Sequence, residues 1–146
     1  MKILFDTYVF VAAVVERHPV HKQAFKWLKR AKEGEFELYL AAHSLAELYA
    51  VLTVLPLKPK IFPSIAQRLI QENVVRLAKI STLSATDYNN VVKHMSSLGF
   101  IGGFVYDALI LKSAQKASVN VIVTFNVKDF KRLLSEDSKI KIIKPE

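Results

Sequence analysis

Apolar positions along the chain fall into short continuous runs that alternate with stretches of helical period. "KILF" (residues 2–5) is an apolar run of β type. "TYVFVAAVV" (residues 7–15) reads as a short helix, with strand left open by its valines. "HPVHKQAFKWLKRAKEG" (residues 18–34) reads as an amphipathic helix ending at Gly34, with Phe25, Leu28 and Ala31 on one face and Lys22, Lys26 and Lys29 on the other. "FELYLA" (residues 36–41) reads as a strand, and "SLAELYAVLTVL" (residues 44–55) as a helix with Ser44 at its N-cap. The Pro-rich "PLKPKIFPS" (residues 56–64) is a loop between two helices.

Beyond it, "SIAQRLIQENV" (residues 64–74) is helical and "RLAKIS" (residues 76–81) a strand. "SATDYNNVVKHMSSLG" (residues 84–99) is a helix closed by Gly99. A further helix covers about residues 104–118. "VNVIVT" (residues 119–124) has the near-continuous apolarity of a strand buried on both faces. "VKDFKRLL" and "IKII" add a short helix and a last strand. Strands alternating with helices predict one three-layer α/β/α domain, residues 1–146, around a mainly parallel central sheet. Such folds bind ligands outside the carboxyl ends of their strands.

Against this frame four acids stand in unexpected places. Asp6 closes the first strand. As the cap of the next helix it would need no further role. Glu47 is the one acid between Leu38 and Leu57, and Ser44-Leu-Ala-Glu47 also fits a capping box. Asp107 lies among Phe104, Ala108, Ile110, Leu111 and Ala114, where an ionised carboxylate is costly without a partner. Asp129 follows Thr124 and Asn126 at the end of the apolar strand, where an N-cap and a dipole-favouring charge are the plain readings. Folded as predicted, these residues meet at one sheet edge. Clustered carboxylates repel and raise one another's pKa, a penalty that a hard divalent cation, Mg²⁺ or Mn²⁺, removes.

At these residues the sequence resembles the PIN-domain ribonucleases, and among them the VapC-type toxins of toxin–antitoxin pairs. "ILFDTYVFVA" resembles their opening strand and first acid, "SLAELYAVL" the helix of the second acid, and "GFIGGFVYDALILKSAQKASVNVIVTFNVKDF" their most diagnostic block. The resemblance implies an RNA-cleaving, Mg²⁺- or Mn²⁺-dependent endonuclease, a homodimer, and an antitoxin partner. Asp6, Glu47 and Asp107 take the family's acidic positions. Two positions depart from its pattern: Tyr8 stands where Asn or Ser is common, and Asn126 where many members carry an acid. Asp6 and Asp107 are expected as core metal ligands, Glu47 as a ligand through water or a general base, and Asp129 as the supporting acid, ahead of Asn126.

Charge and composition agree with that reading without carrying it. The net charge is +8, which suits a polyanionic partner. Lys22, Lys26, Lys29 and Arg30 on one helix, with Lys128, Lys131 and Arg132 near the acids, are candidates for RNA backbone contact, a solvated face being the plain reading of each. There is no cysteine, which excludes disulfides and zinc–thiolate sites. The apolar residues 38–57 hold His43 and Glu47 and read as core rather than a membrane span, so a cytoplasmic protein is expected. His18 and His21 read as a solvated helix start. The runner-up functions are a PIN-like module that binds RNA or protein without catalysis and a nuclease of ribosomal RNA processing. The first is opposed by the presence of all three acids.

Overall fold

The computed structural model describes residues 1–146. In chain order the elements are β1 (Lys2–Phe5), α1 (Thr7–Val14), α2 (His21–Lys32), β2 (Glu37–Ala41), α3 (His43–Val54), α4 (Pro63–Ile70), β3 (Lys79–Ser81), α5 (Ala85–Leu98), α6 (Phe104–Lys116), β4 (Val121–Val123), α7 (Val127–Leu133) and β5 (Lys141–Ile143). All five strands are parallel, in the order β3-β2-β1-β4-β5. β1 is the central strand, with Leu4 opposite Tyr39 on one side and Ile122 on the other. Parallel neighbours require crossovers, and the helices supply them on both faces.

The period of two along each strand divides the interior into two cores. Ile3, Phe5, Leu38, Leu40, Val121 and Val123 face α1 to α4. Leu4, Tyr39, Ala41 and Ile122 face α5, α6 and α7. Burial on both faces explains why these strands read as continuous apolar runs. The predicted three-layer α/β fold is what forms, with a sheet that is wholly rather than mainly parallel. The apolar residues 38–57 divide between β2 and α3, and no helix is long and apolar enough to cross a membrane.

Three local readings are corrected. In α2 the buried face is Ala24, Leu28 and Ala31, while Phe25 is exposed and stacks on His21 at 5.2 Å between ring centres. Ser44 is not an N-cap, because α3 starts at His43 and Ser44 lies inside it, fully buried. The capping box with Glu47 therefore does not form. Instead Thr7 Oγ1 donates to Ser44 Oγ at 2.7 Å and ties α1 to α3. A capping box forms elsewhere, where the Asp87 backbone N–H donates to Ser84 Oγ at 3.1 Å and the Ser84 N–H to Asp87 Oδ2 at 2.8 Å at the start of α5. The helix from Pro63 ends in one wide π turn, Gln71–Val75, and only Lys79–Ser81 of "RLAKIS" is strand.

The strand order reverses at β1: β2 and β3 lie on one side, β4 and β5 on the other. The carboxyl ends of β1 and β4 therefore flank a topological switch point, where open α/β sheets form a crevice. The Thr7–Ser44 bond holds α3 against that crevice. Ser44→Ala leaves the Thr7 hydroxyl buried without its acceptor, and a loss of about 1–3 kcal/mol is expected in urea unfolding; an unchanged midpoint would show the bond to be idle.

Candidate active site

β1 ends in the switch-point crevice, and the next residue is Asp6, only 8% exposed. Its backbone N–H donates to the Val123 carbonyl at 3.0 Å, which fixes the start of α1 beside β4. Thr124, fully buried at the end of β4, donates its hydroxyl to Asp6 Oδ2 at 2.7 Å. The same Thr124 oxygen accepts the Asn126 backbone N–H at 2.9 Å. Burial pushes the Asp6 carboxyl above its usual range, against the lowering effect of Thr124.

Asp107 reaches the crevice from the first turn of α6. Gly102, with φ of +63°, makes the turn that leads into this helix. Behind Asp107, Ala108, Ile110, Leu111 and Ala114 are buried in the second core, while Asp107 itself is half-buried. Its pKa is pushed up to about 7, first by burial and then by Asp6, Asp129 and Glu47. Asn126 lies between two of the acids: its Nδ2 donates to Asp129 Oδ2 at 2.9 Å and approaches Asp107 Oδ2 at 3.4 Å. The amide thus presents a donor to both carboxylates. Asp129 stands behind Asn126 and is not among the cavity-lining residues.

Glu47 comes from the first half of α3. One turn earlier, His43 places Nε2 3.0 Å from Glu47 Oε1. Both atoms are buried, and neither has a well-aligned hydrogen bond. His43 was visible in the sequence as an i, i+4 neighbour of Glu47, although only Ser44 suggested itself as the partner.

These elements enclose a cavity of about 360 Å³ lined by Asp6, Thr7, Tyr8, Glu47, Val51, Asp107, Phe125 and Asn126. Three predicted acids, Asp6, Glu47 and Asp107, share its wall. Their oxygens form the hard donor set that suits Mg²⁺ or Mn²⁺, and the raised Asp6 and Asp107 carboxyls show that the chain alone does not compensate their charge. No three Asp, Glu or His side chains yet converge tightly enough to hold an ion, so side-chain rotation would have to complete the set.

The basic candidates divide. Arg30 pairs with Glu35 at 2.7 Å and lies over Trp27, and Lys29 stands 3.9 Å from Glu33. Arg132 lies over the Phe100 and Phe104 rings. Lys22, Lys26, Lys128 and Lys131 are exposed and make no ion pair. His18 and His21 are held by backbone, His21 Nδ1 donating to the Ala12 carbonyl at 2.8 Å and His18 Nδ1 accepting the Val20 N–H at 3.3 Å.

Comparison with known proteins gives this geometry a context. The chain is 33% identical over 109 residues to Ribonuclease VapC27 of Mycobacterium tuberculosis, covering 75% of this chain and 74% of that protein. It is 29% identical over 117 residues to Ribonuclease VapC40 of the same species, covering 80% and 81%. Its fold is similar to that of VapBC2 from Rickettsia felis bound to promoter DNA, with a TM-score of 0.69 and 21% identity over 100% of both chains. It is also similar to VapC20 of Mycobacterium tuberculosis, a sarcin–ricin loop cleaving toxin, with a TM-score of 0.68 and 13% identity over 92% of this chain and 97% of that one. The PIN domain family model matches residues 3–134, from β1 to the end of α7, and the chain belongs to the PIN domain family.

Proposed function

We propose that this protein is a divalent-metal-dependent endoribonuclease and the toxin of a VapBC-type toxin–antitoxin pair. The observation that carries the proposal is the shared wall of Asp6, Glu47 and Asp107 in one cavity at the switch point. The names of the relatives support RNA as substrate, and the VapBC complexes among the structural neighbours support an antitoxin partner.

Asp6 and Asp107 would hold Mg²⁺ or Mn²⁺. When bound, the cation supplies Lewis acidity toward a phosphodiester oxygen and toward water. Thr124 keeps Asp6 in place. Asn126 turns its donor toward Asp107 and Asp129, which orients the first and engages the second. Glu47 takes a proton from the attacking water; Oε1 faces His43, so Oε2 is the oxygen left for it. The exposed Lys22, Lys26, Lys128 and Lys131 supply the attraction for RNA backbone that an acidic cavity lacks.

Attack by water with the 3′ oxygen as leaving group gives a 5′-phosphate and a 3′-hydroxyl. Sequencing of RNA ends after expression is expected to show these ends for the wild type and none for Asp107→Asn. A 2′,3′-cyclic phosphate would overturn the mechanism, and an active Asp107→Asn would overturn the site. Asp6→Asn and Asp107→Asn are expected to cost more than about 100-fold in cleavage. Asp129→Asn, which acts through Asn126, costs about 10- to 100-fold and weakens Mn²⁺ binding in titration.

Metal-free stability supplies a check independent of RNA. The Asp107 pKa is raised from 3.8 to about 7 in the folded chain, so the folded state holds a proton that the unfolded state releases. Its stabilising contribution is full below about pH 4 and lost as pH rises through about 7. By the usual conversion a shift of this size corresponds to about 4 kcal/mol, reduced to about 1–2 kcal/mol for a half-buried group. In chelator, the wild type is therefore expected to lose stability between pH 4 and 7, and Asp107→Asn to flatten that fall. Equal slopes would contradict the raised Asp107 pKa.

The protein is also proposed to form a homodimer. Val54 at the end of α3 and Phe62 and Ile65 around the start of α4 are exposed apolar side chains at 71%, 68% and 41%. Light scattering at micromolar concentration is expected to give a dimer mass, and Val54→Glu with Phe62→Glu a monomer mass.

A further inference from the structure

The cavity holds more than carboxylates. Tyr8, Val51 and Phe125 give it an apolar part beside Asp6, Glu47 and Asp107. A phosphodiester needs only the acidic part, so the apolar part calls for another portion of the substrate.

Tyr8 is the member of this set with a free surface. It is 49% exposed although α1 is otherwise largely buried, with Val9, Phe10, Val11 and Ala12 all fully covered. Its ring is held edge-on by His18, with 5.8 Å between ring centres and 76° between planes. His18 is in turn fixed by its bond from the Val20 N–H. That contact steadies the Tyr8 ring and leaves about half of the residue open to solvent. The hydroxyl makes no hydrogen bond to the protein, so no other side chain fixes the ring through its oxygen. On the far side of the Tyr8–His18 pair lies a second cleft, lined by Glu16, His18, Pro19, His21, Lys22 and Gln23. The pair is thus a ridge between the acid cavity and a cleft that carries the unpaired Lys22.

Resting on the ribonuclease reading above, we infer that Tyr8 is a base-stacking platform: it holds the unpaired base of a nucleotide next to the scissile phosphodiester and gives the site a substrate with a splayed-out, single-stranded base. Stacking on an aromatic face tolerates every base and is lost when the base is held in a duplex. It also explains how an acidic cavity fixes the register of a polyanion, since the platform grips the part of the nucleotide that bears no charge.

The test uses the full-length protein and a single-stranded RNA oligonucleotide that the wild type cuts at one position, with Mn²⁺ present. Abasic ribose replaces in turn the nucleotide on either side of the cut. Tyr8→Leu is expected to raise KM by about 5- to 100-fold with kcat little changed, and Tyr8→Phe to restore the wild-type KM. One of the two abasic substrates is expected to show the same KM loss with the wild type and no further loss with Tyr8→Leu, the non-additivity of two groups in contact. Circular dichroism melts of both variants, matching the wild type, separate this from misfolding. If Tyr8→Leu fails to fold, the wild type's KM loss on one abasic substrate, set against its unchanged KM on the other, still decides the matter: equal KM for all substrates overturns the platform. Wild-type cleavage with additive effects of Tyr8→Leu and the abasic sites, or a Tyr8→Phe as impaired as Tyr8→Leu, overturns this inference alone. No RNA cleavage by the wild type overturns the ribonuclease reading and the inference with it.

Discussion

The site depends on one buried contact, the hydroxyl of Thr124 on the carboxylate of Asp6. It joins the ends of two adjacent parallel strands, β1 and β4, at the point where the sheet order reverses. Burial works against ionisation of Asp6, and Thr124 opposes that penalty with a charge-assisted hydrogen bond. Because the Thr124 oxygen also accepts the Asn126 N–H, the same side chain sets the direction in which the chain leaves β4. Asn126 then faces Asp107 and Asp129. Four polar residues from three parts of the chain are aligned through a single threonine.

Around that contact the fold divides its labour. The two apolar cores hold the strands rigidly enough to keep charged groups at a sheet edge, where they repel one another. The Thr7–Ser44 bond brings α3, and with it Glu47, into the same cavity. The strain of holding charge is concentrated in the buried Asp6 and the half-buried Asp107, both pushed up first by burial and then by neighbouring acids. Elsewhere acids have ordinary partners: Asp87 is held below its usual range by Lys116 and the Ser84 N–H, and Glu37 by Lys79. The contrast separates carboxylates that stabilise the fold from those the fold merely tolerates.

The inner strands were legible because burial on both faces leaves Ile3–Phe5, Leu38–Ala41 and Val121–Val123 almost wholly apolar, and the position of Asp6 and Thr124 followed from where those runs stop. Helix faces were less legible. Spacing put Phe25 on one face with Leu28 and Ala31, yet the small Ala24 takes the buried position and Phe25 stays outside, stacked on His21. Ser44 satisfied a local capping pattern, but its tertiary partner Thr7 prevailed and the cap position fell to Ala42, 2 residues earlier. The role of Asn126 was hidden for another reason. Sequence gives the amide, but only the fold brings the Asp107 and Asp129 carboxylates beside it, and as acceptors they take its nitrogen rather than its oxygen. Tyr8 looked like a lost polar position until its exposure and its contact with His18 gave the ring a use.

The bond between Thr124 and Asp6 spans 118 residues of sequence. A chain emerging from the ribosome carries Asp6 before Glu47, but β4 cannot pair with β1 until Val121–Val123 has been made. Until then Asp6 lacks its strand neighbour, its threonine and the asparagine beyond. The carboxylate cavity therefore stays incomplete on a nascent chain until β4 has emerged. Its chemistry waits for that strand, by virtue of strand order alone.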